Sequence, residues 1–208
     1  IVCPKYPDGF DGQSYYNRLR RGAQVKTSLI NAEAFYQAFR PVVEAGKDVL
    51  YVGISSGISG TVAAANMAAQ QLMEEYPQRQ VVVVDSMGAG LGTGILTCKA
   101  ADYSIADMDI RAAEEQLNID RLGLCEYFTV DDLMFLKRTG RVSGVTAVLG
   151  SMLQIKPMLR GDEDGKIVVC GKIRGRKRAI TELAEMYAKK VVDAEHQRVA
   201  ISHGDCLE

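Results

Sequence analysis

Two stretches of this chain, Val49-Leu50-Tyr51-Val52-Gly53-Ile54 and Val81-Val82-Val83-Val84, run apolar without polar alternation. A strand of that kind has to be covered on both faces, the condition inside a parallel sheet flanked by helices. The segments around them fit that requirement. From Ala32 to Ala45 apolar residues recur at helical spacing (Ala34, Phe35, Ala38, Phe39, Val42, Val43), with Asn31 placed as N-cap and Gly46 as stop. An alanine-rich helix follows the first strand and its loop, and Pro77 ends it just after Tyr76. The second strand closes with Asp85-Ser86, and Gly88 to Gly94 opens another helix. Strand, loop, helix, strand, loop, helix is the order of a parallel α/β domain.

Beyond the charged amphipathic helix of Arg111 to Leu122 the pattern changes, which places a domain boundary near Gly123. Residues 1–123 then form the parallel α/β domain and 124–208 a second α/β domain. In the latter, Leu124 to Thr129 reads as a strand, Asp131-Asp132 caps a short helix ending near Gly140, and Val145 to Leu153 reads as a further short helix. Ile155–Leu159 and Ile167–Ile173 flank the turn-rich Gly161-Asp162-Glu163-Asp164-Gly165 and read as a hairpin. A basic helix from about Arg176 to Val192 follows, and Val199-Ala200-Ile201-Ser202 reads as a strand near the last residues. A strand there calls for neighbours that the remaining residues do not supply, so the chain reads as a fragment. No internal repeat is visible.

Charge and cysteine usage narrow the function classes. A formal net charge of −1 lacks the basic excess that a nucleic-acid partner calls for. The five cysteines (Cys3, Cys98, Cys125, Cys170, Cys206) are scattered, with no Cys-x-x-Cys pair and only two histidines to join them, which speaks against a zinc site and a disulfide framework. Such cysteines suit a reducing cytoplasm, as small apolar residues. No apolar run approaches the ~20 residues of a membrane-spanning helix. The first residue is not Met, which leaves a preceding leader open.

In an open parallel sheet, ligands bind beyond the carboxyl ends of the strands. Here the first strand runs into Ser55-Ser56-Gly57-Ile58-Ser59-Gly60-Thr61, directly before a helix. Backbone N–H groups, the positive end of a helix dipole and several hydroxyls converge there, a combination that binds an anion. Hydroxyls add hydrogen bonds without charge and so suit one carboxylate better than a triphosphate. Thr27-Ser28 offers further hydroxyls before the Asn31 cap, and Asp85-Ser86 with Gly88 to Gly94 forms a third such loop. Serine and glycine between a strand and a helix are also ordinary caps and turns, and each loop alone is compatible with that.

A phosphate loop fails on detail, because Lys does not follow Gly60 and Gly90-Leu91-Gly92-Thr93-Gly94 does not complete Gly-x-Gly-x-x-Gly. Catalysis lacks a base. His196 sits on a charged helix end, His203 lies near the last residues, and the Asp131-Asp132 pair reads as a cap. No catalytic and no metal-ligating residue is therefore assigned. The clusters Lys137-Arg138-Thr139-Gly140-Arg141 and Arg174-Gly175-Arg176-Lys177-Arg178 join arginine to glycine at element edges, where they can grip phosphate or remain simply solvated.

Taken together these segments resemble the DegV family. The resemblance rests on Thr27-Ser28, the Ser55–Thr61 loop and Asp85-Ser86, then on Leu133-Met134-Phe135-Leu136-Lys137-Arg138-Thr139-Gly140-Arg141-Val142-Ser143, Ile155-Lys156-Pro157-Met158-Leu159 and Lys172-Ile173-Arg174-Gly175-Arg176-Lys177, in family order. It implies a two-domain α/β fold with a long-chain fatty acid between the domains and no other cofactor. The acyl carboxylate is then held by Thr27 and Ser59, with Ser28, Ser55, Ser56 and Gly60 beside them. FakB-type members of the family hand the fatty acid to a fatty acid kinase, which phosphorylates the carboxylate for phospholipid synthesis. By the same resemblance Arg141 and Arg174 face the kinase, the location is cytoplasmic, and transient membrane contact accompanies the role. Two departures stand out. Gly90 replaces a serine usual in the third loop, and the family's opening strand and closing His-Thr-Gly-Pro-like segment are not in the chain. Behind the lipid carrier rank a small-anion-binding or regulatory module without an acyl ligand, and then a transferase.

Overall fold

The two apolar stretches pair side by side in a computed structural model that describes residues 10–133, 136–137, 140–143 and 154–206. The strands β1 (Val49–Gly53) and β2 (Val81–Asp85) run parallel in register from Val49↔Val81 to Gly53↔Asp85. Successive side chains of a strand point to opposite faces. Accordingly Val49, Tyr51, Val81 and Val83 pack on one side against helices α2 (Ala32–Glu44) and α3 (Thr61–Glu75), in a core with Phe35, Phe39, Val43 and Leu72. Leu50, Val52, Val82 and Val84 pack on the other side with Leu96 and Leu117, from helices α4 (Gly90–Ile105) and α5 (Ile110–Asp120). The fully apolar strands are thus explained by helices on both faces.

Local chemistry sets the helix ends. Asn31 caps α2 through its side-chain oxygen, which accepts the Ala34 N–H at 2.9 Å. The Asp109 carboxylate accepts the Arg111 and Ala112 N–H groups and caps α5 in the same way. A first helix, α1 (Gly12–Arg20), is capped by Asp11 and buries no residue, so no apolar stripe marks it in the sequence.

The second sheet has the order β3-β5-β6-β4. Strands β5 (Ile155–Gly161) and β6 (Ile167–Arg174) form the expected antiparallel hairpin, with a register shift between Met158 and Leu159, both buried. Strand β3 (Tyr127–Thr129) pairs antiparallel with β5, and the short β4 (Val142–Ser143) pairs parallel with β6. Leu133 and Leu159 form the core of this sheet with Phe128, Ile167 and Val169 around them. The basic helix α6 covers Arg176–Lys190. The short helix expected over Val145 to Leu153 lies outside the described residues, as does part of the one expected before Gly140.

The strand expected at Val199-Ala200-Ile201-Ser202 does not form. Its β-branched residues satisfy the propensity, but no described strand pairs with them, and Val199 and Ile201 are exposed. Cys98, Cys125, Cys170 and Cys206 lie at the surface, outside any disulfide.

By contacts the described residues fall into two units, 10–28 with 201–206, and Leu29–Ala200. Within the first, the Arg20 guanidinium pairs with the Asp205 carboxylate at 2.6 Å and also donates to the Asp205 carbonyl. Both sheets belong to the second.

Candidate functional site

Because β1 and β2 are parallel, their carboxyl ends lie at one edge of the sheet, where the loops into α3 and α4 begin. After Gly53 the chain turns back on itself, with the Ile58 and Ser59 N–H groups both donating to the Ser55 carbonyl. This turn sets Ser59 Oγ 2.7 Å from Thr61 Oγ1, and Ser59 Oγ also accepts the Thr61 N–H at 3.2 Å. Two hydroxyls carry two protons, and their mutual bond takes one; the other can be donated to an external acceptor. At the start of α3 that donor acts together with the helix dipole, an arrangement matched to a carboxylate. Arg141 stands by the same loop, its Nε donating to the Ile58 carbonyl at 3.4 Å.

The other loop residues have different tasks. Ser55 is 1% exposed, and its hydroxyl donates to the Gly165 carbonyl at 2.8 Å while accepting the Gly57 N–H at 3.1 Å. It therefore ties the loop to the turn between β5 and β6. Ser56 is exposed, and its N–H donates to the Asp85 carboxylate, which also accepts the Met87 N–H at 2.9 Å. Gly60 lies under Leu29, whose Cδ2 is 3.1 Å from where a Cβ would stand. An apolar side chain thus adjoins the polar loop.

The structure brings Ser55, Ser56, Ser59, Gly60 and Arg141 together. Thr27 and Ser28 are exposed and belong to the other unit. Arg174 is separate from Arg141: it ends β6, whereas Val142 pairs with Ile167 at the strand's start, so the two ends lie roughly 20 Å apart along the strand. Arg174 instead borders an open depression with Arg176, Lys177 and Arg178. His196 is exposed, with its Nδ1 2.9 Å from the Asp193 carboxylate. Asp131 forms ion pairs with Lys156 at 2.8 Å and Arg176 at 3.8 Å. Among the described residues no cluster of His, Cys, Asp or Glu side chains suits a metal ion.

Two residues of the site were not singled out from sequence. Thr61 was read as part of the loop, yet its hydroxyl completes the donor pair. Glu126 was read as a position in a strand, yet its carboxylate accepts the Ala89 N–H at 2.9 Å and the Gly92 N–H at 3.1 Å, at the start of α4. An acid within the otherwise apolar Leu124–Thr129 run was the available signal. Burial pushes the Glu126 carboxyl above its ordinary range, although the two N–H groups pull it down. A carboxyl raised on folding holds its proton more tightly in the folded chain. Its contribution thus favours folding below the ordinary carboxylate range and is lost as pH rises through the folded value. Urea denaturation of wild type and Glu126→Gln from about pH 4 to 7 should show wild type losing stability relative to the variant as pH rises. Parallel pH profiles would contradict it.

The sequence profile of the DegV family, described as a family of uncharacterised proteins, matches residues 4–208. This chain belongs to the DegV family. It is 36% identical over 216 residues to a DegV domain-containing protein of Clostridium perfringens, covering all of this chain and 74% of that one. Among solved structures, the DegV family protein of Thermus thermophilus described for its fatty acid binding is 31% identical, with a TM-score of 0.74 over 86% of this chain and 62% of that one. A fatty acid binding DegV family protein of Streptococcus agalactiae is 28% identical, with a TM-score of 0.77 over 90% of this chain and 66% of that one. The chain thus spans about two thirds of the length of these DegV structures. The parallel sheet, the second sheet and their helices are the DegV fold. No helix among the described residues is long and apolar enough to cross a membrane.

Proposed function

We propose that this DegV protein binds one long-chain fatty acid and presents its carboxylate to a fatty acid kinase in the cytoplasm for phospholipid synthesis. The observation that carries the proposal is the Ser59–Thr61 hydroxyl pair at the start of α3, with one proton to donate and no charge to balance. Fatty acid binding by the Thermus and Streptococcus relatives supports an acyl ligand. The kinase step follows from the family resemblance of the Arg141 and Arg174 motifs. Ser59 holds the carboxylate, with Ser56 and Gly60 around it, and Ser55 holds the loop in place. The acyl chain lies between the parallel domain (residues 1–123) and the second domain (124–208). Arg141 adjoins the loop through its bond to the Ile58 carbonyl, and Arg174 contributes from the other end of β6 on the kinase-facing side.

The energetics assign separate tasks to the two ends of the ligand. Burial contributes ~0.8 kcal/mol per CH₂, so the chain supplies most of the affinity and the hydroxyls orient the head. Denaturing the full-length protein purified from bacteria and analysing the extract by mass spectrometry should give one fatty acid per chain. Ser59→Ala removes a hydrogen bond to a charged group and should weaken binding about tenfold or more. Shortening the ligand by one CH₂ should weaken it about fourfold. A full-length protein that is empty and ignores added fatty acid sinks the proposal. Affinity independent of chain length would favour a small-anion module, and turnover of lipid without a partner would favour a transferase.

A further inference from the structure

Two helices open at the same edge of the parallel sheet, and they are closed in different ways. The α3 start is lined by the Ser59 and Thr61 hydroxyls, which are neutral. At the α4 start the N-cap is Ala89, which has no side chain to cap with. Its N–H groups are served from 34 and 37 residues away, by the Glu126 carboxylate. The fit is close. A Cβ at Gly92 would stand 2.0 Å from Glu126 Oε1, and one at Gly88 would stand 2.7 Å from Oε2. The α4 start therefore already holds an anion, supplied by the protein.

From this juxtaposition we infer that Glu126 is a specificity-determining residue: it fills the α4 start with an internal carboxylate and so directs an acidic head group to the α3 start. Without it the two ends are near equivalents, each a helix N-terminus after a strand of the parallel pair, and a carboxylate could settle at either. Two carboxylates cannot share one set of N–H groups without strong repulsion, so occupancy by Glu126 excludes the ligand there. The same contact steadies the α3 loop. Gly88, next to Ala89, accepts the Ser55 N–H at 2.8 Å, and Ser86 Oγ donates to the same carbonyl at 3.2 Å. Holding Ala89 thus holds the carbonyl from which the Ser55 loop hangs.

This inference rests on the carboxylate-binding reading of the α3 loop, and a small probe separates the two. Carbon-13 NMR of the full-length protein is recorded with carboxyl-labelled acetate and then with a carboxyl-labelled long-chain fatty acid. Wild type and Glu126→Gln, which keeps a side-chain oxygen against the N–H groups, should bind no acetate at α4 and show one bound fatty-acid carboxyl signal. Glu126→Ala opens the position. It should bind acetate in the millimolar range, with the Ala89 and Gly92 amide signals shifting on titration, and should show two bound fatty-acid carboxyl signals. Acetamide, uncharged and of similar size, should bind at least tenfold more weakly. Should Glu126→Ala not fold, Glu126→Ser opens the same position and keeps a polar atom in it. A folded variant that binds no acetate and keeps a single fatty-acid signal overturns the inference. Acetate binding by the variant in a protein that takes no fatty acid supports the role of Glu126 and removes the fatty-acid reading instead.

Discussion

Gly57→Ala is expected to lower the stability of the chain by about 3 kcal/mol, because the added methyl has nowhere to go. Its carbon would stand 2.4 Å from the Asp164 carbonyl oxygen and 2.6 Å from the Gly165 carbonyl carbon, both of them backbone atoms. A flexible side chain can swing away from a new neighbour, but a tight turn cannot. This turn is fixed by the Asp162 side chain, which accepts the Asp164 and Lys166 N–H groups at 3.0 and 2.8 Å, and by Gly165 at a left-handed φ of 69°. Relief must come from moving the Ser55 loop off the hairpin, which breaks the buried bond from Ser55 Oγ to Gly165. For a chain of this size the loss corresponds to a fall in Tm of roughly 10 °C. Ser59 lies two residues further on, so fatty-acid affinity of the molecules that remain folded should fall as well. Calorimetry and ligand titration on the same sample test both statements. An unchanged Tm would show that the loop and the hairpin do not press together as described.

That contact also marks the limit of what the sequence made legible. The α2–β1–α3–β2 unit could be read because its evidence is local: unbroken apolar strands, an Asn cap on α2, a proline stop after α3. The β5–β6 hairpin could be read because its turn residues are adjacent. The helix α1 was missed because it buries nothing and so has no apolar stripe to betray it. Val199 to Ser202 was misread because propensity describes a residue's preference and not whether a partner strand exists. The site divides in the same way. The loop residues were visible as a cluster of hydroxyls before a helix, but their separate tasks were not. Ser55 is committed to a carbonyl 110 positions away, and Glu126 to N–H groups 34 and 37 positions away. Nothing in the spacing of either residue encodes such a partner. An acid in an apolar run signals only that some partner has to exist.

Leu72→Ala should cost a comparable amount, ~3 kcal/mol, yet leave the site intact, and the contrast with Gly57→Ala is informative. Leu72 is fully buried between α3 and its neighbours, in the core built by Phe35, Phe39, Val43, Ala65, Ala68 and Val81. Truncation removes three heavy atoms' worth of packing. The aromatic residues around it are held by one another, with Phe35 and Tyr51 5.0 Å apart edge to face, so they close only part of the void. The cavity lies three turns along α3 from Thr61, and the first turn of the helix is held independently by Ser59 and by the Ser55–Gly165 and Ser55–Gly88 bonds. Chemical denaturation should therefore show a midpoint shifted to lower denaturant with an unchanged slope. Fatty-acid affinity measured on the folded fraction should stay within about threefold of wild type, since ~0.6 kcal/mol is near the coupling expected between distant sites. If affinity instead falls in step with stability, the ligand loops are not an independently braced unit, and the whole of α3 shifts when its core is opened.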